Sequence, residues 1–79
     1  MNKDIYEQLK AIAVNDIGID EDKIKPESDI IKELGLDSLD IVDMLMKVEE
    51  TFGVTIDDSD VVELKTVADV VKFIEDNVA

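Results

Sequence analysis

Ser38 stands between acids in Gly35-Leu36-Asp37-Ser38-Leu39-Asp40, at the head of an amphipathic stretch. A serine hydroxyl is a weak nucleophile unless a base takes its proton. The 79 residues include no histidine, cysteine, arginine or tryptophan. Ser-His-Asp and Cys-His nucleophiles, zinc fingers, thiolate redox chemistry and disulfides are therefore excluded. Asp37 and Asp40 offer paired carboxylates, yet nothing sets a second catalytic group or pocket opposite them. Asp57, Asp58, Asp60 and Glu63 invite a metal reading. No segment, however, has the alternating oxygen ligands, central glycine and terminal glutamate of an EF-hand loop. Neither catalytic nor metal-ligating residues are assigned, and Ser38 taken alone reads as a helix cap.

The elements around this serine read as helices. Ile5, Leu9, Ile12, Ala13 and Ile17 recur at helical spacing, and Gly18 supplies a stop. Residues 18–37 form a long connection broken at Pro26, with a short turn of helix expected at 29–34. Ile19, Ile24, Ile30, Ile31 and Leu34 are expected to pack it onto the core. Asp37 or Ser38 caps a second helix that runs to Phe52 and stops at Gly53. A short third helix starts at Asp57 or Asp58 and ends near Leu64. Thr66 with Asp69 resembles a capping box and opens a last helix through about Asn77. Val54-Thr55-Ile56 is β-prone but too short to build a sheet around. The expected fold is all-α: a small four-helix bundle of three main helices and one short one, forming a single domain over residues 1–79. Ile, Leu, Val and Phe make up 28 of the 79 residues, enough for a folded domain despite the charge. The core is small, with a net stability of ~3–5 kcal/mol.

On a helical wheel the second helix shows two apolar surfaces. Ile41, Leu45, Val48 and Phe52 share an arc of about 60°, a core stripe with Met44 on its border. Leu39, Val42 and Met46 extend the apolar surface through roughly another 120°, wider than a small bundle buries. Asp40, Asp43, Glu49 and Glu50 surround this shoulder. An apolar patch rimmed by charge of one sign suits transient docking, although a shoulder packed under a loop gives the same pattern. The formal charge of -13 is concentrated here: residues 37–63 hold nine acids and one lysine, for -8. Partners are expected to carry basic patches, whereas nucleic acid and anionic membrane are repelled. No apolar run is long enough for a membrane span or a signal-peptide core, so a cytoplasmic protein is expected; a monomer is expected too.

Leu34-Gly35-x-Asp37-Ser38-Leu39-Asp40, Val42-Asp43-x-x-Met46, Val48-Glu49-Glu50-x-Phe52, Ile56 and Thr66-Val67 together resemble the acyl carrier proteins of fatty-acid synthesis, over essentially the whole chain. The resemblance implies that Ser38 carries 4'-phosphopantetheine, transferred from coenzyme A by a phosphopantetheinyl transferase. Acyl cargo would ride as a thioester on the arm's thiol, which suits a chain with no cysteine of its own. It implies that Asp37 positions the attachment site. Leu39, Asp40, Val42, Asp43, Met46, Glu49 and Glu50 would meet the basic docking patches of fatty-acid synthesis enzymes. Val48, Ile56, Val61, Leu64, Val70 and Phe73 would line an acyl-chain cavity, a set that plain core packing also explains. Asp57 stands where many relatives have proline, and the usual arginines are missing. The same arm serves polyketide, peptide and D-alanyl carriers, so a specialised carrier is the main alternative. A non-carrier acidic interaction domain is the other.

Overall fold

The computed structural model describes residues 2–78. Helix α1 (Lys3–Ile12) begins where the Asn2 side chain accepts the Asp4 and Ile5 N–H groups at 2.9 and 3.2 Å. That satisfies two donors the helix itself leaves unpaired. Ile5, Leu9 and Ile12 form its buried stripe. The expected single helix to Ile17 changes pitch on the way: Ala13–Ile17 winds as a π-helix. Gly18 closes it, and the Gly18 and Ile19 N–H groups both donate to the Ala13 carbonyl. The wider turn shifts the phase of the chain, leaving Ile17 half-buried while Ile19 enters the core.

The long connection is held by its own hydrogen bonds. A 3-10 turn at Glu21–Lys23, not expected from the sequence, sits beside α1. There Lys10 Nζ lies 3.3 Å from Glu21, and the Tyr6 hydroxyl donates to the Ile24 carbonyl at 3.2 Å. Ser28 is fully buried; its Oγ donates to the Lys23 carbonyl at 2.7 Å and accepts the Lys25 N–H at 3.0 Å. Ile19, Ile24, Ile30 and Leu34 are buried as expected, but Ile31 is 63% exposed. Asp29 causes the difference. Its carboxylate accepts the Ile31 and Lys32 N–H groups at 2.9 and 2.8 Å, and its carbonyl accepts those of Glu33 and Leu34. The expected short helix at 29–34 is instead a hydrogen-bonded turn, in which Ile30 and Leu34 face inward and Ile31 faces out.

The Asp29 carboxyl is held below its usual range by the Lys32 N–H bond first. The Ile31 N–H and the charges of Lys32 and Lys65 add to this, against partial desolvation. A depressed folded-state pKa contributes stability above the unfolded value and loses it as pH falls through the folded one. Asp29→Ala is expected to melt lower than the parent at neutral pH. The gap should close only in acid, below about pH 4. A gap that persists undiminished down to about pH 2 would count against the carboxylate as its source.

Helix α2 (Ser38–Phe52) is capped by Asp37, whose Oδ1 accepts the Asp40 N–H at 2.9 Å. It ends at Gly53, where φ is +69°, a left-handed geometry that glycine adopts without a side-chain penalty. Its buried side chains are Met44, Leu45 and Val48, with Ile41 and Phe52 half-buried. The core stripe is thus centred closer to Met44 than the wheel suggests. Helix α3 (Asp58–Val61) is a single turn that buries none of its residues, shorter than the expected run to Leu64. Helix α4 (Val67–Asn77) opens on the Thr66–Asp69 capping box and buries Val67, Val70, Val71 and Ile74. Helix α1 packs against both α2 and α4.

The connection also clasps the start of α4. The Val67 N–H donates to the Ser28 carbonyl at 3.0 Å, Ala68 N–H to Pro26 at 2.8 Å, and Ile30 N–H to Lys65 at 2.9 Å. One isolated antiparallel bridge joins Asp29 to Thr66, and the described residues contain no strand. No helix among them is long and apolar enough to cross a membrane.

Candidate functional site

The approach to α2 is built to expose a serine. Gly35 turns the backbone at φ +68°, and Leu36 drops into the core behind it. Asp37 is extended and commits its carboxylate to the Asp40 N–H. Ser38 follows as the first residue of the helix, with an exposed side chain that makes no hydrogen bond to the described residues. The Ser38 and Leu39 N–H groups likewise find no acceptor among the described residues. Helix α4 is the contrast, since its Val67, Ala68 and Asp69 N–H groups are all taken. Open amides at a helix N-terminus, aligned with the helix dipole, favour an anion. These residues fit a phosphodiester on Ser38 Oγ. Ser28 cannot play that part, being buried with its hydroxyl engaged. Ser59 is exposed but lies inside the one-turn α3.

Over the first two turns of α2 after Ser38, Leu39, Val42 and Met46 are 74, 52 and 53% exposed and form the apolar shoulder. Asp43 and Glu50 beside it are exposed, and Asp40 is half-buried. Lys47 Nζ stands 4.0 Å from Glu50, an exposed pair of small energetic weight. Glu49 differs from its neighbours. It is half-buried, and its Oε2 accepts the Ile56 N–H at 2.8 Å. The wheel counts it among the surrounding acids and carries no sign of this internal bond.

The six residues read as a cavity lining are not gathered into one space. Val48 and Val70 are packed into the core, while Ile56 and Phe73 are half-buried. Val61 and Leu64 line an open apolar groove of ≈ 480 Å³ with Ile31, Ile41 and Val62, rimmed by Asp29, Lys32 and Lys65. Leu64 and Phe73 meet at a second, polar depression of ≈ 260 Å³. Ile31, Ile41 and Val62 are the lining residues that the sequence reading missed. The signal available for them was Asp29 ahead of Ile30-Ile31, a side chain able to fold a local turn. The Val61-Val62 pair in an otherwise acidic segment was another. Among the described residues no group of acids is arranged to hold a metal ion. Asp60 is engaged locally, its Oδ2 accepting the Asp57 N–H at 3.0 Å.

Residues 7–74 match the phosphopantetheine attachment site family. The chain is 43% identical to the acyl carrier protein of Helicobacter hepaticus over 74 residues, covering 94% of this chain and 97% of that one. It is 41% identical to the acyl carrier proteins of Helicobacter pylori strains G27 and HPAG1 over 73 residues, 92% of this chain and 94% of theirs. The chain belongs to the acyl carrier protein family. It is therefore a carrier with a phosphopantetheine attachment site and not itself a catalyst. That membership suits the composition, because an acyl carrier protein draws its thiol from the arm and this chain has none of its own. The all-α expectation and the four-helix order hold with it.

Proposed function

We propose that Ser38 is the attachment point and that the chain, as one carrier domain, delivers acyl groups to the enzymes of fatty-acid synthesis. The observation that carries this reading is the exposed, unbonded Ser38 at the open N-terminus of α2, inside the matched region. The arm, when attached, supplies a terminal thiol that holds cargo as a thioester. The residues of the chain do the rest. Asp37 fixes the start of the helix through Asp40, which holds the Ser38 hydroxyl outward for a separate phosphopantetheinyl transferase. The helix N-terminus favours the phosphodiester charge. Leu39, Val42 and Met46, with Asp40, Asp43 and Glu50 around them, suit a partner that is apolar at its centre and basic at its rim. The groove beside Ile41 lies one helical turn from Ser38, and its apolar lining suits an acyl chain. Val48 and Val70 lie deeper and would border a chain only if the core parted, whereas half-buried Ile56 and Phe73 stand outside the groove.

Polyketide, peptide and D-alanyl carriers share this attachment chemistry, so the cargo decides between them. The test is the mass of the protein purified from its native host. A population carrying phosphopantetheine with saturated or 3-oxygenated straight chains is expected. Aminoacyl or branched polyketide cargo would replace the fatty-acid reading, and a chain with no added mass and no capacity to be loaded would end the carrier reading.

A further inference from the structure

Glu49 fastens the loop after α2 twice. Its backbone carbonyl accepts the Gly53 N–H at 2.9 Å, and its Oε2 accepts the Ile56 N–H at 2.8 Å. Between those points Gly53 turns back and Val54 drops into the core. Helix α3 begins two residues after Ile56 and fully buries none of its side chains; half-buried Val61 is its point of contact with the core. Besides that contact it is fastened at its two ends: by Glu49 holding Ile56, and by the Lys65 carbonyl accepting the Ile30 N–H at 2.9 Å. Val61, Val62 and Leu64 hang between these fastenings and form one wall of the groove, facing Ile31 and Ile41.

We propose that Glu49 is a positioning residue for the cargo: its bond to Ile56 sets how closely the α3 wall shuts over an acyl chain in the groove. The inference rests on the carrier reading above. It gives Glu49 a task that Asp43 and Glu50 do not share, since neither reaches the loop. The operative feature is an acceptor oxygen at the right reach. A shorter acid fails to supply it, and a neutral amide of the same length succeeds.

The test compares the parent with Glu49→Ala, Glu49→Asp and Glu49→Gln, each loaded with an arm bearing either an acetyl or an octanoyl thioester. Hydroxylamine attacks the thioester carbonyl; the C–S bond breaks, leaving an acyl hydroxamate and the arm's free thiol. The chain has no cysteine, so that thiol is titrated without background. Acetyl is too short to be sheltered and serves as the reference within each variant. Glu49→Ala and Glu49→Asp should raise the octanoyl-to-acetyl cleavage ratio about fivefold, or ~1 kcal/mol, the worth of one hydrogen bond. Glu49→Gln should stay within about twofold of the parent. In the unloaded chains, hydrogen exchange at the Ile56 amide should quicken in the Ala and Asp variants and not in the Gln variant. If Glu49→Ala does not fold, the Asp and Gln variants carry the same comparison. An unmoved ratio despite faster Ile56 exchange overturns the inference, as does Glu49→Gln behaving like Glu49→Ala. Failure to take up the arm at all would instead overturn the carrier reading.

Discussion

Ser38→Ala is expected to abolish loading while leaving the fold intact. Incubated with coenzyme A and a phosphopantetheinyl transferase, the parent should gain the mass of one phosphopantetheine and the variant none. The effect is all-or-none because, among the described residues, Ser38 is the one exposed hydroxyl that opens a helix longer than a single turn. Ser28 is fully buried, with its oxygen donating to Lys23 and accepting from Lys25. Ser59 is exposed and is the informative control, for it lacks the Asp37-Ser38-Leu39 setting. Stability should change by no more than about 0.5 kcal/mol, since the Ser38 side chain holds nothing and alanine suits a first helical turn. Arm mass appearing on the Ser38→Ala chain, mapped to Ser59 or Ser28, would move the site and undo the reading of α2.

What could be read from the sequence was whatever local chemistry decides. Asp37 as cap, Gly53 as stop and the Thr66–Asp69 box each depend on residues within one turn of each other, and each lies where its type predicts. The exposure of Leu39, Val42 and Met46 was also legible, because an apolar arc wider than the core can cover must face water somewhere. What was not legible depends on long-range partners. No residue type marks the π-helix at Ala13–Ile17, which reflects how Ile12, Ala13 and Ile19 meet the core together. The inward place of Glu49 depends on a backbone N–H seven residues on, which no wheel contains. The groove depends on Asp29 turning Ile31 outward and on α3 stopping after one turn. Sequence spacing collects Val48, Ile56, Val61, Leu64, Val70 and Phe73 as apolar and near one another. It does not tell which of them face an opening and which are packed shut.

The bond of Glu49 to Ile56 also selects the residues with which docking is best probed. Reversing Glu49 would disturb the loop and the surface together, whereas Asp43 and Glu50 are exposed and reach no backbone group. Two reversals of two units each, Asp43→Lys with Glu50→Lys, take the formal charge from -13 to -9. Stability should hold within about 0.5 kcal/mol per site, or rise as self-repulsion falls. Association with a basic partner should slow by about tenfold or more at low salt, because steering is lost and like charges now meet. The dependence of that rate on salt should flatten for the same reason. Met46→Ala should instead quicken dissociation and leave the salt slope unchanged, because it removes apolar contact and no charge. Loading by the transferase and turnover with a ketoacyl synthase, each followed across a salt series beside melting curves, separate the two effects. If the double reversal folds as well as the parent and both partners act on it unslowed, the basic partners meet another part of the acidic surface. The exposure of Leu39, Val42 and Met46 would then follow from helix geometry alone.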